Sequence, residues 1–408
     1  MRKIILYILI FLSLATISNA KIRKVVYIVT DGIPADYVER VHPKTIFEIA
    51  QQGTYSRAYT GGEIDGYSQT PTVSAIGYTN ILTGTWMNKH NVNGNDNLRP
   101  NYSYWSLFRV AKEQPRKVTT GLFSSWTDNR TVLIGANKLE TNNLYIDYVA
   151  DGYDIDQVNY PKKKDDLQIF DIDSTVAEKA ALCIKEKAPD LSWVYFWYTD
   201  DAFHIYGDGE YSDFYLHKTD ELIAKIWESV QYREKNFDEE WLVIVTTDHG
   251  REETGHGHGG QTERERTVWI STNQKAVNQH FHSSDLSLVD INPTICHYLG
   301  FQLPQEVEFE QDGISFLGKV DISHLTASYF DRKITLKWNR YKSDATSVDI
   351  YVSFTNEYPK GGKDTWIKVA TVPAENNLYV FDKSKYPDSK FYKFTVVAPG
   401  NHLSRWCR

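Results

Sequence analysis

Three uninterrupted apolar runs, at 25–29, 193–198 and 241–245, are too short and too rich in β-branched and aromatic residues to be free-standing helices. A strand buried on both faces has this appearance. Between the runs, apolar residues recur at helical spacing, for instance over 174–187 and 215–232. Strands alternating with helices predict an α/β fold, a doubly wound, mainly parallel sheet. Near residue 320 the period changes. The segments 334–338, 348–352, 366–369 and 392–396 alternate apolar and polar residues, with turn residues at 359–362 and 375–377 between them. Period-two alternation at this spacing predicts a small all-β sandwich.

The first twenty residues read differently. Arg2 and Lys3 precede an apolar run over 4–14, and Ser18, Asn19 and Ala20 form a small-residue cleavage site. The run is shorter than the roughly 20 apolar residues of a membrane span, so a cleaved signal peptide is expected, with no transmembrane segment afterwards. The expected organisation is therefore a signal peptide at 1–20, an α/β unit at 21–318 and a sandwich at 319–408. The expected location is secreted, periplasmic or at the cell surface.

Composition narrows the partners. The formal charge is −8 and the leader holds two basic residues and no acids, giving about −10 for the mature chain. Such a balance argues against binding of a nucleic-acid duplex or an anionic membrane. The three cysteines, Cys183, Cys296 and Cys407, are too few for a disulfide scaffold, and an odd number leaves at least one unpaired. None has a C-x-x-C partner.

The chemistry gathers where the three apolar runs end. They lead into Thr30-Asp31, Thr199-Asp200 and Thr247-Asp248, and ligands in open α/β sheets bind beyond the carboxyl ends of the strands. One such Asp is ordinarily a helix cap. Here His249 follows Asp248, His204 lies four positions after Asp200, and the glycine-rich stretch 255–260 carries His256 and His258. Asp31, Asp200, His204, Asp248, His249 and His258 are enough for two metal ions with three ligands each; the Asp–His mixture suits zinc and also admits manganese. Ser74 opens a helix-compatible run, 74–84, where a metal can stabilise its alkoxide and a helix N-terminus can receive phosphoryl oxygens.

In this order these segments resemble the alkaline phosphatase superfamily, nearest to its type I phosphodiesterase and nucleotide pyrophosphatase branch. The likeness covers about 24–317: Thr30-Asp31-Gly32, then Ser74 to Thr83-Gly84, His90 to Asn95, Asp200 to Gly207, Thr247 to Gly250, His258-Gly259-Gly260 and Asp290 to Ile295 with Gly300. The resemblance implies a two-metal hydrolase of small phosphate esters or phosphodiesters. Asp31, Asp248 and His249 would hold the metal that binds the Ser74 oxygen. Asp200, His204 and His258 would hold the one beside the leaving group, with His258 preferred to His256 because it directly precedes Gly-Gly. Ser74 would be the nucleophile, passing through a covalent phosphoseryl intermediate. The C-terminal region, with Trp338 on an early strand and Tyr392 on a late one, resembles a fibronectin type III module able to contact glycan, protein or the catalytic unit.

The chain departs from the pattern at one place. The phosphoryl-binding Asn expected three residues after the nucleophile is Gly77 here, with Asn80, Arg264 and Arg266 as candidate replacements. Sulfatases share the core but need Pro and Arg where this chain has Ile76 and Tyr78. Phosphomonoesterase, phosphonate hydrolase and phospho-group transferase remain alternatives on the same core. An inactive surface-binding protein is the alternative of another class. The segment 85–189, with Trp86, Tyr102, Tyr104, Trp105 and Trp126, is expected to build the substrate pocket.

Overall fold

The apolar runs pair side by side, and this pairing sets the architecture. The computed structural model describes residues 21–407; the predicted signal peptide lies outside them. Its central sheet comprises β1 (Ile22–Thr30), β2 (Thr54–Tyr59), β3 (Thr120–Ser124), β4 (Tyr148–Ala150), β5 (Leu191–Phe196), β6 (Glu239–Thr246) and β7 (Thr267–Thr272), in the order β2-β7-β6-β1-β5-β3-β4. The five strands from β6 to β4 are parallel, and β7 and β2 form an antiparallel edge. The fold is thus α/β with a mainly parallel sheet, as the sequence predicts.

Strand β1 shows why the run is uninterrupted. Val25, Tyr27 and Val29 enter one apolar core and Val26 and Ile28 the other. Helices Leu167–Glu186 and Glu210–Asn236 cover the second face, while helices Ser74–Thr83 and Ile291–Leu299 cover the first. Both long helices begin earlier than the predicted 174–187 and 215–232, at Leu167 and Glu210.

The central strand β1 has β5 and β6 as its neighbours, with Thr30 opposite Phe196 and Val29 opposite Thr246. One prediction fails in detail. The second run ends as a strand at Phe196, two residues early, and Asp200 stands in the first turn of helix Tyr198–Tyr206. Trp197 already has helical angles, and the buried carboxylate of Asp173 accepts the backbone N–H groups of Trp197 (3.0 Å) and Tyr198 (2.8 Å). Aromatic side chains pack equally well in a strand and in a helix, so the joint leaves no hydrophobic signature.

Beyond the sheet, β8 (Ile322–Phe330), β9 (Lys333–Arg340), β10 (Ser347–Ser353), β11 (Ile367–Pro373), β12 (Leu378–Asp382), β13 (Tyr392–Val397) and β14 (His402–Cys407) form two antiparallel sheets. Their orders are β12-β9-β8 and β11-β10-β13-β14, around a third apolar core. Strands β8, β12 and β14 lie outside the predicted segments; in β8 the exposed Tyr329 and Phe330 break the alternation. Cys183, Cys296 and Cys407 are all unpaired. Among the described residues no helix is long and apolar enough to cross a membrane.

Candidate active site

The rim shared by β5, β1 and β6 brings the predicted side chains together. Asp31 follows β1 directly, and Asp248 and His249 follow β6. Ser74 is the first residue of its helix; Val73 is the N-cap, no side-chain cap is made, and the hydroxyl is therefore free of capping duty. Its Oγ lies 3.2 Å from His249 Nε2 and 3.5 Å from Asp31 Oδ1. His249 Nε2 is 3.3 Å from Asp31 Oδ1, 3.3 Å from Asp248 Oδ2 and 4.0 Å from Asp200 Oδ1. His258 Nε2 stands 3.8 Å from Asp200 Oδ1, and His204 Nε2 is 3.2 Å from both Asp200 Oδ2 and His258 Nε2.

Two sets of donor atoms are close enough to hold a metal ion: Asp31, Asp248 and His249, and Asp200, His249 and His258. His249 sits between them, so the sharing differs from the strict three-and-three division, with His204 adjoining the second set from its exposed side. His256 stays outside; its Nδ1 lies 3.1 Å from the carbonyl of His204.

Electrostatics fit a cation here. Asp248 Oδ2 is fully buried and, although near His249, has no hydrogen-bond partner. Burial and the neighbouring Asp31 raise the Asp248 carboxyl well above its usual range. Burial alone would lower the His249 imidazole, but Asp248, Asp31 and Asp200 around it push it up to about 9. Three buried carboxylates sharing one imidazole hold more negative charge than the chain neutralises, and hard-oxygen and imidazole donors in this arrangement suit divalent ions. His258 has its pKa lowered to about 3, by burial first and then by His249, so it presents a neutral ring.

Several supporting residues have roles that the sequence does not assign. Tyr78, one helical turn after Ser74, and Tyr195 on β5 both donate to Asp31 Oδ2, the latter at 2.7 Å. Arg251 is fully buried, binds the carbonyl of Gly32 at 3.0 Å and forms an ion pair with Asp200. Although burial would raise Asp200, that guanidinium and His204 hold it well below the usual carboxylate range. Asn95 Oδ1 accepts the N–H of Ala75 at 2.9 Å, which places its amide beside Ser74.

The proposed replacements for an Asn at 77 lie elsewhere. Asn80 is buried against His90 Nε2 at 2.9 Å, Arg264 pairs with Asp36 and Asp208, and Arg266 binds the carbonyls of Gly61 and Gly62. Of the aromatic residues expected in the pocket, Trp126 alone lines the cavity over Ser74, together with Trp197. Trp86 stacks on Tyr59, Tyr104 packs on Tyr358, Trp105 lies under Arg109, and the Tyr102 hydroxyl binds the carbonyl of Val132.

Comparison with known proteins adds a family and a fold. A family model described as "Type I phosphodiesterase / nucleotide pyrophosphatase" matches residues 25–315, more than half of the chain. No curated protein sequence matches the chain. Among solved structures, a candidate sulfatase from Bacteroides thetaiotaomicron VPI-5482 is 13% identical with a TM-score of 0.50, over 90% of this chain and 86% of the other. Murine ectonucleotide pyrophosphatase / phosphodiesterase 5 is 12% identical with a TM-score of 0.48, over 69% and 96%. Phosphonoacetate hydrolase from Sinorhizobium meliloti 1021 is 14% identical with a TM-score of 0.41, over 57% of each.

Proposed function

The chain belongs to the type I phosphodiesterase / nucleotide pyrophosphatase family, within the alkaline phosphatase superfamily, and from that premise we propose that it is an exported, two-metal hydrolase of phosphate esters with Ser74 as nucleophile. The observation that carries this reading is the position of Ser74 Oγ, at a helix N-terminus, uncapped, and within 3.5 Å of both Asp31 and His249.

Asp31, Asp248 and His249 would hold one divalent ion, and Asp200 and His258, with His204 and the shared His249, the other; zinc suits the donors, and manganese is the alternative. Bound there, such ions would neutralise charge on the phosphoryl oxygens and on the entering and departing oxygens. Ser74 Oγ attacks phosphorus in line, forming a phosphoserine as the ester P–O bond breaks, and water then cleaves the phosphoserine. The positive end of the Ser74 helix favours the phosphoryl oxygens beside it. The Asn95 amide, oriented by its bond to Ala75, donates to a phosphoryl oxygen in place of a residue at 77. Tyr78 and Tyr195 fix Asp31, and Arg251 fixes Asp200.

The same proposal divides the chain into a catalytic unit at 21–318 and a sandwich at 319–408, supported by the separate apolar core of the latter. A fibronectin type III-like identity is supported by its three-plus-four strand order, buried Trp338, and Tyr392 Oη, which accepts the backbone N–H of Ser389 at 3.2 Å near the start of β13. Its partner of first resort is the catalytic unit, against which it buries charge.

Turnover of 4-nitrophenyl phosphate and of bis(4-nitrophenyl) phosphate, with and without zinc, tests the reading. The expected result is metal-dependent hydrolysis of at least one ester, lost at least about 10³-fold in Ser74→Ala. Undiminished turnover in that variant, or a protein that binds no metal and cleaves neither ester, would overturn it.

A further inference from the structure

Where the α/β unit meets the sandwich, the surface opens into a cleft of about 800 Å³. Asn91, Arg99, Trp105 and Arg109 line it on one side, and Glu306 and the turn 358–363 on the other. It shares no residue with the cavity over Ser74, although Arg99 here and Asn95 there belong to one loop. Its walls are tied together: the Asn101 amide donates to the carbonyl of Pro359 at 2.9 Å, and Tyr104 packs edge-on against Tyr358. Four cations, Arg99, Arg109, Lys360 and Lys363, face only two acids, Glu140 and Glu306, in a chain whose formal charge is −8. Arg109 is half-buried. Its Nη1 binds the carbonyl of Tyr102 at 3.0 Å and its guanidinium lies 4.5 Å from the centre of the Trp105 ring. Its Nη2 has no partner among the described residues, and neither do the Arg99 guanidinium, Ser103 Oγ and Trp105 Nε1. Other half-buried arginines are engaged: Arg130, Arg264 and Arg405 pair with acids, and Arg266 gives both Nη atoms to Gly61, Gly62 and Gln261.

We propose that this cleft binds an acidic saccharide, a sugar ring bearing a carboxylate or a sulfate group, with the anion received by Arg109 and Arg99. A guanidinium fork matches the paired oxygens of either anion, and contact with Trp105 holds the Arg109 fork in place. Trp105 Nε1 and Ser103 Oγ offer hydrogen bonds to ring hydroxyls. Lys360 and Lys363 make exposed pairs with Glu357 and Glu306, which are weak in water and let either ammonium turn to a ligand. Competing ligands fit less well. A neutral sugar would cover Arg109 and leave its open donors unmatched. An extended acidic peptide needs a strand edge to pair with, and no lining residue belongs to a strand.

Calorimetric titration of the full chain compares trigalacturonate with its methyl ester, and sulfated maltotriose with maltotriose, pairs that differ in charge on the same rings. At least one acidic sugar should bind about tenfold or more tightly than its neutral counterpart, and the one that does so names the anion. Arg99→Gln and Arg109→Gln should each weaken that binding by about three- to tenfold and leave the neutral sugar unaffected. The Arg99 side chain is exposed and holds nothing in place, so its variant separates loss of binding from loss of folding. Hexaglutamate binding as tightly as the acidic sugars would assign the cleft to acidic peptides and overturn the inference. Equal binding of acidic and neutral sugars, or no binding of either, would overturn it as well. So would charge-dependent binding untouched by both substitutions, which would place the anion at another site, the metal centre included. Each outcome leaves the reading of Ser74 as it stands.

Discussion

Gly77 backs directly onto Asp248: a β-carbon added at Gly77 would lie 2.8 Å from both the Cβ and the carbonyl oxygen of Asp248. The helix that presents Ser74 therefore touches the end of β6 through bare backbone, and that contact draws serine and carboxylate into one site. A residue with a side chain at 77 cannot be seated there without moving Asp248. The absence of an Asn at 77 is thus a packing requirement of this chain.

Gly77→Ala should destabilise the protein by about 1–3 kcal/mol through overpacking and, by shifting Asp248, lower turnover at least about tenfold. Urea unfolding and ester hydrolysis measure the two effects. A variant with native stability and native turnover would show that the contact is slack.

Tyr78→Phe and Tyr195→Phe each remove a hydroxyl that donates to Asp31 Oδ2 while keeping the ring. Partners of this kind orient a ligand, and losing one typically costs 10–100-fold in metal affinity or activity, roughly the range expected here. Competition for zinc with a chromogenic chelator reads the affinity. Affinity equal to the native protein in both variants would assign the tyrosines to packing.

Acid should weaken the fold through His90. Its Nδ1 accepts the N–H of Val92 at 3.1 Å and its Nε2 faces Asn80 Oδ1 at 2.9 Å, so both ring nitrogens are used by the neutral form. Burial lowers its pKa from 6.5 to about 3. Below pH 6.5 the unfolded chain takes a proton that the folded chain refuses, so stability falls as pH drops, by up to about 1.4 kcal/mol per unit until pH nears 3. His90→Gln should flatten this part of the urea-midpoint profile between pH 7 and 4. An identical slope in the variant would rule out this origin.

Lys393, on β13 of the sandwich, is fully buried between Glu310 and Asp364, with Asp364 Oδ2 at 2.7 Å. Lys393→Met would leave two buried carboxylates facing each other, at a cost of about 3–5 kcal/mol. Denaturant unfolding should show it. A loss below about 1 kcal/mol would mean that water reaches these acids.

What the sequence made legible is what has a local signature. Continuous apolar runs marked the strands that flank and include β1, and Asp–His spacing marked the side chains that gather beyond them. Ser74 was legible because it begins a helical pattern within a segment that matches the family's order; only the structure shows that it is not the cap. Arg251, Tyr78 and Asn95 were not legible, since each acts on a partner far away in the chain: Arg251 on Gly32, Tyr78 on Asp31 and Asn95 on Ala75. Nothing within a few residues of them records those meetings. The strand-to-helix joint at Trp197 was hidden for another reason: its cap, Asp173, lies on a different helix.

The buried ions between sheet and sandwich have a geometric consequence. Lys89, on the short helix that follows the Ser74 helix, pairs with Asp312 at 2.7 Å and binds the carbonyl of Glu310 at 2.6 Å; Glu310 in turn meets Lys393. A short relay of fixed charges thus ties the helix next after that of Ser74 to the sandwich and resists a swivel between them. A surface or polymer gripped by the sandwich would meet Ser74 at a single bearing and a single reach.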